Sequence, residues 1–268
     1  MNQGADRQGA GDGGKSAGAT HFWEGWRRWR HVIKVDPDRP LSPDRLREVL
    51  DCGTDAAVVG GTQGLSSAKV SATLQALAGA PFPVVVEVSS PECLVLGPAA
   101  FFIPVVLNAG DTRWVVGAHQ EALAKYLRLA GDGAGGAASA IPWSVLCPEG
   151  YVVLNPQSAV GRLTKVRTAL AAREALAYAK AGEGLFRLPI IYLEYSGAYG
   201  DEYLVEEVRA GLESAHLFYG GGIDTPEKAR RMAAVADTVV VGNLVYTGSG
   251  DDLREIVQAV REAPLGKV

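Results

Sequence analysis

The sequence predicts a single (β/α)8 TIM barrel, and three observations carry that prediction. Short β-branched runs recur eight times from His31 onward, most are followed by a segment of helical period, and glycine-bearing turns gather at the last strand ends. Barrels of this kind hold phosphate after their seventh and eighth strands. With 268 residues, 47% hydrophobic and 21% charged, the chain is long enough for one well-buried core. A doubly wound open sheet shares these periods and is the competing architecture.

Met1 to about Thr20 is poor in hydrophobics and rich in glycine, so residues 1–20 read as a disordered tail ahead of a folded domain at 21–268. Trp23, Trp26 and Trp29 then recur every three residues among Arg27, Arg28 and Arg30. That spacing resembles an amphipathic helix in transient contact with a membrane surface, but packing across the barrel's bottom is the expectation. The strands follow at His31–Asp36, Ala56–Gly60, Val84–Val88, Phe102–Leu107, Tyr151–Leu154, Ile190–Glu194, Leu217–Gly220 and Thr238–Val241. Ser42, Pro43 and Asp44 supply an N-cap, a proline at N1 and a first-turn acid, so a helix runs to about Cys52, where Gly53 stops it. Ser89 to Pro98 is too short and proline-broken for a full helix, which makes the third unit irregular. Gly131 to Ala140 reads as a flexible loop.

Composition excludes several classes. A net charge of −4 gives no general reason to bind nucleic acid or an anionic membrane, so any anion site must be local. Three widely spaced cysteines and four histidines outside any ligand pattern argue against a disulfide framework or a zinc site. No run approaches the roughly 20 apolar residues that span a bilayer, and the first twenty residues lack an apolar leader core, so a cytoplasmic protein is expected.

Chemistry concentrates at strand ends. Tyr195-Ser196-Gly197, Tyr219-Gly220-Gly221-Gly222-Ile223 and Val241-Gly242-Asn243 each read alone as a tight turn; together they suggest backbone N–H groups free to approach a phosphate. Lys34 and Asp36, two apart on the first strand, share one face. Either they form an internal ion pair, or Asp36 holds Mg²⁺ on a polyphosphate while Lys34 faces an anionic substrate. Gly60-Gly61-Thr62 would bring a hydroxyl beside that metal. Glu194 ends the sixth strand beside Tyr192, where it is either a salt-bridged structural acid or the base that deprotonates a hydroxyl. Glu87 reads as a partner for Lys34 or a catalytic group, and His119 as a surface or core histidine.

The runs His-Val-Ile-Lys-Val-Asp-Pro from His31, Gly-Gly-Thr from Gly60, Glu-Val-Ser from Glu87, Phe-Ile-Pro-Val-Val-Leu-Asn from Phe102, Tyr-Leu-Glu-Tyr-Ser-Gly from Tyr192, Phe-Tyr-Gly-Gly-Gly-Ile from Phe218 and Val-Val-Gly-Asn from Val240 occur in that order. Together they resemble the PcrB and geranylgeranylglyceryl phosphate synthase family from His31 to the C-terminus. The resemblance implies a TIM-barrel prenyltransferase that joins an allylic prenyl diphosphate to a hydroxyl of a three-carbon phosphate with Mg²⁺, releasing pyrophosphate. By matching motif, Asp36 and Thr62 would serve the metal and diphosphate, and Lys34, Tyr192 and Glu194 would surround the acceptor. Ser196, Gly197, Gly221, Gly222, Gly242 and Asn243 would grip its phosphate.

The overall look is similar to the family branch that transfers farnesyl to 3-phosphoglycerate in moenomycin-type phosphoglycolipid biosynthesis, and that is the acceptor expected. Arg162, Lys165 and Arg167 would then accommodate the extra carboxylate, or else form a solvated helix start. Phe101 and Phe102 would shorten a prenyl groove. The alternative is a heptaprenyl- or geranylgeranylglyceryl phosphate synthase using sn-glycerol-1-phosphate. Asp251-Asp252 is followed by Leu-Arg-Glu, so the DDxxD motif of helical prenyl synthases is absent from the sequence. Other classes are an isomerase or aldolase with a Schiff-base Lys34, and a lipid-binding module driven by the Trp/Arg segment. Family members are often homodimers, though no interface is legible.

Overall fold

The computed structural model describes residues 25–95, 97–131, 143–167 and 169–264. The expected tail at 1–20, Trp23 and the loop from 132 to 140 lie outside the described residues. Eight strands form the sheet: β1 (His31–Val35), β2 (Ala56–Val59), β3 (Val84–Glu87), β4 (Phe101–Val106), β5 (Leu146–Val153), β6 (Ile190–Glu194), β7 (His216–Gly220) and β8 (Thr238–Val241). Each pairs in parallel with the next, and β8 closes on β1 through His31↔Val239 and Val32↔Val240. Closure removes both sheet edges and with them the open-sheet alternative. One strand departs from expectation: β5 starts at Leu146, five residues ahead of Tyr151, because Cys147-Pro148-Glu149-Gly150 carries no β-branched side chain.

The connections are α1 (Pro43–Leu50), α2 (Ser67–Ala76), α3 (Gly117–Gly131), α4 (Ala159–Thr164), α5 (Ala172–Gly184), α6 (Glu202–Gly211), α7 (Pro226–Val235), α8 (Leu244–Thr247) and α9 (Gly250–Glu262). Ser42 caps α1 as expected, its hydroxyl accepting from Arg45 N, although the helix ends at Leu50 rather than Cys52. Between β3 and β4 the described residues form only a short 3-10 turn, Pro91–Cys93. That is the irregular third unit, and it leaves a gap in the helical ring.

Two apolar layers hold the barrel. Residues alternating along each strand divide between an inner cluster, with Val58, Val85, Phe102, Tyr151 and Phe218, and an outer one that packs Ile33, Val59, Leu193 and Leu217 against helix residues such as Leu204 and Met232. Trp26 and Trp29 belong to the inner cluster. Trp26 meets His216 and Phe218 edge-on at 5.6 and 6.3 Å, and Trp29 lies 6.3 Å from Phe102. Burial of each indole contributes on the order of 2–3 kcal/mol. Arg30 fixes the segment by donating to the carbonyls of Ala233, Ala236, Asp237 and Ala263. These two tryptophans therefore plug the barrel's bottom. No helix among the described residues is long and apolar enough to cross a membrane.

Candidate active site

Because the strands are parallel, all their C-terminal ends reach one rim, and a cavity of about 440 Å³ opens there. Its polar part is lined by Lys34, Asp36, Thr62, Glu87, Glu194, Ser196 and Asn243. Its apolar part runs between Ile103, Leu146 and Pro148 on β4 and β5 and Ala118, Ala122 and Leu123 on α3. Phe102 and Val106 point into the barrel, so by alternation Ile103 lies on the outer face of β4. The apolar arm therefore extends outside the barrel wall, beside the gap left by the missing third helix.

Inside the mouth, Lys34 Nζ donates to both carboxylate oxygens of Glu87 at 2.9 Å. The Tyr151 hydroxyl donates to the same carboxylate. Tyr151 stacks on Tyr192 with ring centroids 4.4 Å apart, and Lys34 lies 5.8 and 5.7 Å from the two ring centroids. Burial alone would lower the Lys34 pKa, but Glu87 and Glu194 more than offset it and hold the ammonium charged. Lys34 is thus internally paired, with Glu87 rather than with Asp36. Two residues before Tyr151 on β5, and so on the same face, sits Glu149, fully buried, with no described partner for either carboxylate oxygen. Burial, then the charge of Glu87, raises its pKa well above the usual carboxylate range.

Asp36 lies at the rim on a tight turn. Its Oδ1 accepts from Asp38 N at 2.9 Å, while the Tyr246 hydroxyl accepts from Asp36 N at 2.6 Å. A Cβ at Gly61 would stand 2.5 Å from Asp36 Oδ1, so only glycine lets the carboxylate lie against that loop. Among the described residues no three His, Cys, Asp or Glu side chains cluster as a protein-only metal cage. A lone carboxylate with the Thr62 hydroxyl in the same cavity does fit Mg²⁺, which is ordinarily held by one or two carboxylates together with substrate phosphates.

Across the mouth, Glu194 is 3% exposed, and its Oε1 accepts from Ser196 N at 2.5 Å. Burial raises its pKa, opposed by Lys34 and the Ser196 contacts. No described residue accepts from the backbone N–H groups of Gly197, Gly221, Gly222 or Asn243. Gly197 and Gly222 adopt φ of +82° and +57°, conformations that favour glycine. Ser196, Gly242 and Asn243 line the cavity, whereas Gly197, Gly221 and Gly222 do not. The last two also serve packing, since a side chain at Gly221 would strike Tyr195 and one at Gly222 the Tyr199 backbone.

Several expectations need correction. Tyr192 does not line the cavity: it is buried in the barrel interior, stacked on Tyr151 and pressed against Gly220. Phe102 points into the core and Phe101 packs with the outer apolar layer, so neither borders the groove. Arg162, Lys165 and Arg167 lie off the cavity; Arg162 bonds the Gln157 carbonyl and Arg167 pairs with Glu174. His119 does line the groove, with Nε2 2.9 Å from the Pro104 carbonyl. Sequence reasoning missed Arg39, Tyr246 and Glu149. For Arg39 the available signal was its place three residues past Asp36.

A closed parallel barrel with a carboxylate-bearing mouth, an anion-ready rim and a long apolar arm defines an enzyme class that handles substrates with a phosphorylated head and a hydrocarbon tail. The sequence matches the PcrB family over residues 24–260. It is 43% identical over 220 residues to the heptaprenylglyceryl phosphate synthase of Geobacillus kaustophilus, covering 82% of this chain and 87% of that one. With the geranylgeranylglyceryl phosphate synthase of Methanoculleus marisnigri it shares 40% over 238 residues, covering 88% and 98%. Its fold superposes on (S)-3-O-geranylgeranylglyceryl phosphate synthase from Thermoplasma acidophilum, solved with its substrate sn-glycerol-1-phosphate, at a TM-score of 0.74 and 25% identity over 92% and 99% of the two chains. The chain belongs to the PcrB family, and it is a prenyltransferase.

Proposed function

We propose that the protein transfers a long prenyl chain from its diphosphate to a hydroxyl of sn-glycerol-1-phosphate. The observation that carries this reading is a single cavity joining the Asp36 and Glu194 carboxylates to an apolar arm beneath α3. The kinship with glyceryl phosphate synthases supports the acceptor. The expected 3-phosphoglycerate acceptor and farnesyl donor lose their support, because the basic cluster and the two phenylalanines offered for them lie off the cavity.

In the reaction, the bond between the allylic carbon and the diphosphate oxygen breaks, and pyrophosphate leaves with the electron pair. The acceptor oxygen forms the new ether bond to that carbon and gives its proton to Glu194. Asp36 and Thr62 would hold Mg²⁺, which neutralises charge building on the leaving group. Free N–H groups around Gly197, Gly222 and Asn243 would receive the acceptor phosphate. The groove beneath α3 would hold the chain away from water. A Schiff base at Lys34 is disfavoured, since Glu87 keeps the amine protonated and hydrogen-bonded.

The test is an assay of the purified protein with farnesyl, geranylgeranyl or heptaprenyl diphosphate, each paired with sn-glycerol-1-phosphate or 3-phosphoglycerate, with Mg²⁺ and with EDTA. A long-chain glyceryl ether formed only with the metal is expected. Exclusive transfer of farnesyl to 3-phosphoglycerate would replace the acceptor proposed here, and no product from any pair would overturn the transferase reading.

A further inference from the structure

Two Lys or Arg side chains among the described residues line the cavity, Lys34 and Arg39, and they stand in opposite electrostatic situations. The Lys34 ammonium is engaged by both oxygens of Glu87. The Arg39 guanidinium has no carboxylate and no hydrogen-bond acceptor among the described residues. It is held by stacking instead, its central carbon 3.9 Å from the centroid of the Tyr246 ring. Stacking fixes the plane of a guanidinium while leaving its edge of N–H donors open.

The same tyrosine orients Asp36. Its hydroxyl accepts from Asp36 N and donates to Asp36 O at 3.3 Å. Arg39 N in turn donates to Asp36 O, closing a four-residue turn with Asp36 and Arg39 at its two ends. One tyrosine thereby anchors the backbone of Asp36 through its hydroxyl and an unpaired cation through its ring, on the same rim of the cavity as Gly61 and Thr62.

From this arrangement we infer that Arg39 binds the diphosphate of the prenyl donor and stabilises it as it leaves. A prenyl diphosphate carries more negative charge than one divalent cation neutralises, and charge grows on the departing oxygen. A fixed guanidinium fork matches phosphate oxygens and adds what the Asp36 side alone cannot supply. The inference rests on the prenyl-transfer reading for its ligand and assigns to Arg39 the charge role that Lys34 cannot fill.

The experiment is calorimetric titration of inorganic pyrophosphate with Mg²⁺ into the full chain, wild type against Arg39→Gln and Arg39→Lys, alongside titration of sn-glycerol-1-phosphate. Losing one hydrogen-bonded charge contact weakens binding by about tenfold to a hundredfold. That loss is expected for pyrophosphate in Arg39→Gln, with an intermediate loss in Arg39→Lys and unchanged glycerol-1-phosphate affinity. In turnover, the KM for the prenyl diphosphate should rise while that for the acceptor stays put. Unchanged pyrophosphate affinity in Arg39→Gln overturns the assignment, and so does an equal loss for both ligands. Arg39 is exposed, so the variants should fold. A wild type that binds pyrophosphate but makes no ether overturns the transfer reading alone, because the titration judges Arg39 without turnover.

Discussion

Lys34 Nζ on β1 is 2.9 Å from both carboxylate oxygens of Glu87 on β3, and both residues line the cavity at the barrel mouth. Removing one member leaves the other charge in a largely dry interior. Glu87→Met should therefore cost about 3 kcal/mol, the low end of what breaking a buried pair costs, because the Lys34 side chain keeps some solvent contact. Lys34→Met combined with Glu87→Met should recover most of that loss. Urea unfolding of the two single variants and the double variant checks it; additive losses would show that the two residues do not act as a pair.

In the proposed mechanism Glu194 takes the acceptor's proton, and burial raises its pKa above the ordinary carboxylate value. A base works only when ionised, so kcat/KM should fall as pH drops through that raised pKa, at a higher pH than a solvent-exposed glutamate would give. Glu194→Gln should lose about a hundredfold to ten-thousandfold in kcat and abolish that acidic limb. Rate profiles of the two enzymes over pH test this. An unchanged acidic limb in the variant would assign the titration to another group.

These roles were unevenly legible in the sequence. Runs such as Val84–Glu87 and Thr238–Val241 announce themselves by branched side chains, whereas the start of β5 is concealed by Pro148 and Gly150. Alternation correctly puts Tyr192 on the face of Glu194, but two residues along a strand is about 7 Å, enough to move a ring from the mouth into the core. Depth, unlike face, depends on how the barrel closes. The Tyr246 contacts that orient Asp36 and Arg39 span more than two hundred residues, and no local pattern encodes them. The glycines at 221 and 222 were legible as a demand for glycine. That their neighbours are Tyr195 and Tyr199 of the preceding loop required the fold.

Gly222 offers a test of that double duty. Its φ of +57° and its closeness to the Tyr199 backbone both oppose a side chain. Gly222→Ala should cost about 1–3 kcal/mol through strain, more if the loop is forced to move. Because the Gly197–Tyr199 loop would shift with it, binding of sn-glycerol-1-phosphate should weaken more than binding of pyrophosphate. Thermal unfolding and the two titrations together check this, and equal weakening of both ligands would count against a phosphate site formed by these loops.

Glu149 gives a prediction whose sign depends on its burial. Neither of its oxygens has a described partner, and Glu87, Lys34 and Glu194 are the charged groups that act on it. Burial raises its folded-state pKa well above the value of 4.5 for an unperturbed glutamate, so the folded protein keeps a proton that the unfolded chain has already released. Between those two pKa values the native state binds more protons, and stability must fall as pH rises. Glu149→Gln carries no ionisable proton and removes that slope. Its melting temperature relative to wild type should therefore climb as pH rises above 4.5, the value of an unperturbed glutamate. An offset that stays constant as pH rises above 4.5 would mean that Glu149 ionises in the fold as it does in the unfolded chain. Lys34, the cation that acts on Glu149, would then face the Glu87 and Glu149 carboxylates together, and Glu194 would meet a strong penalty for ionising beside them.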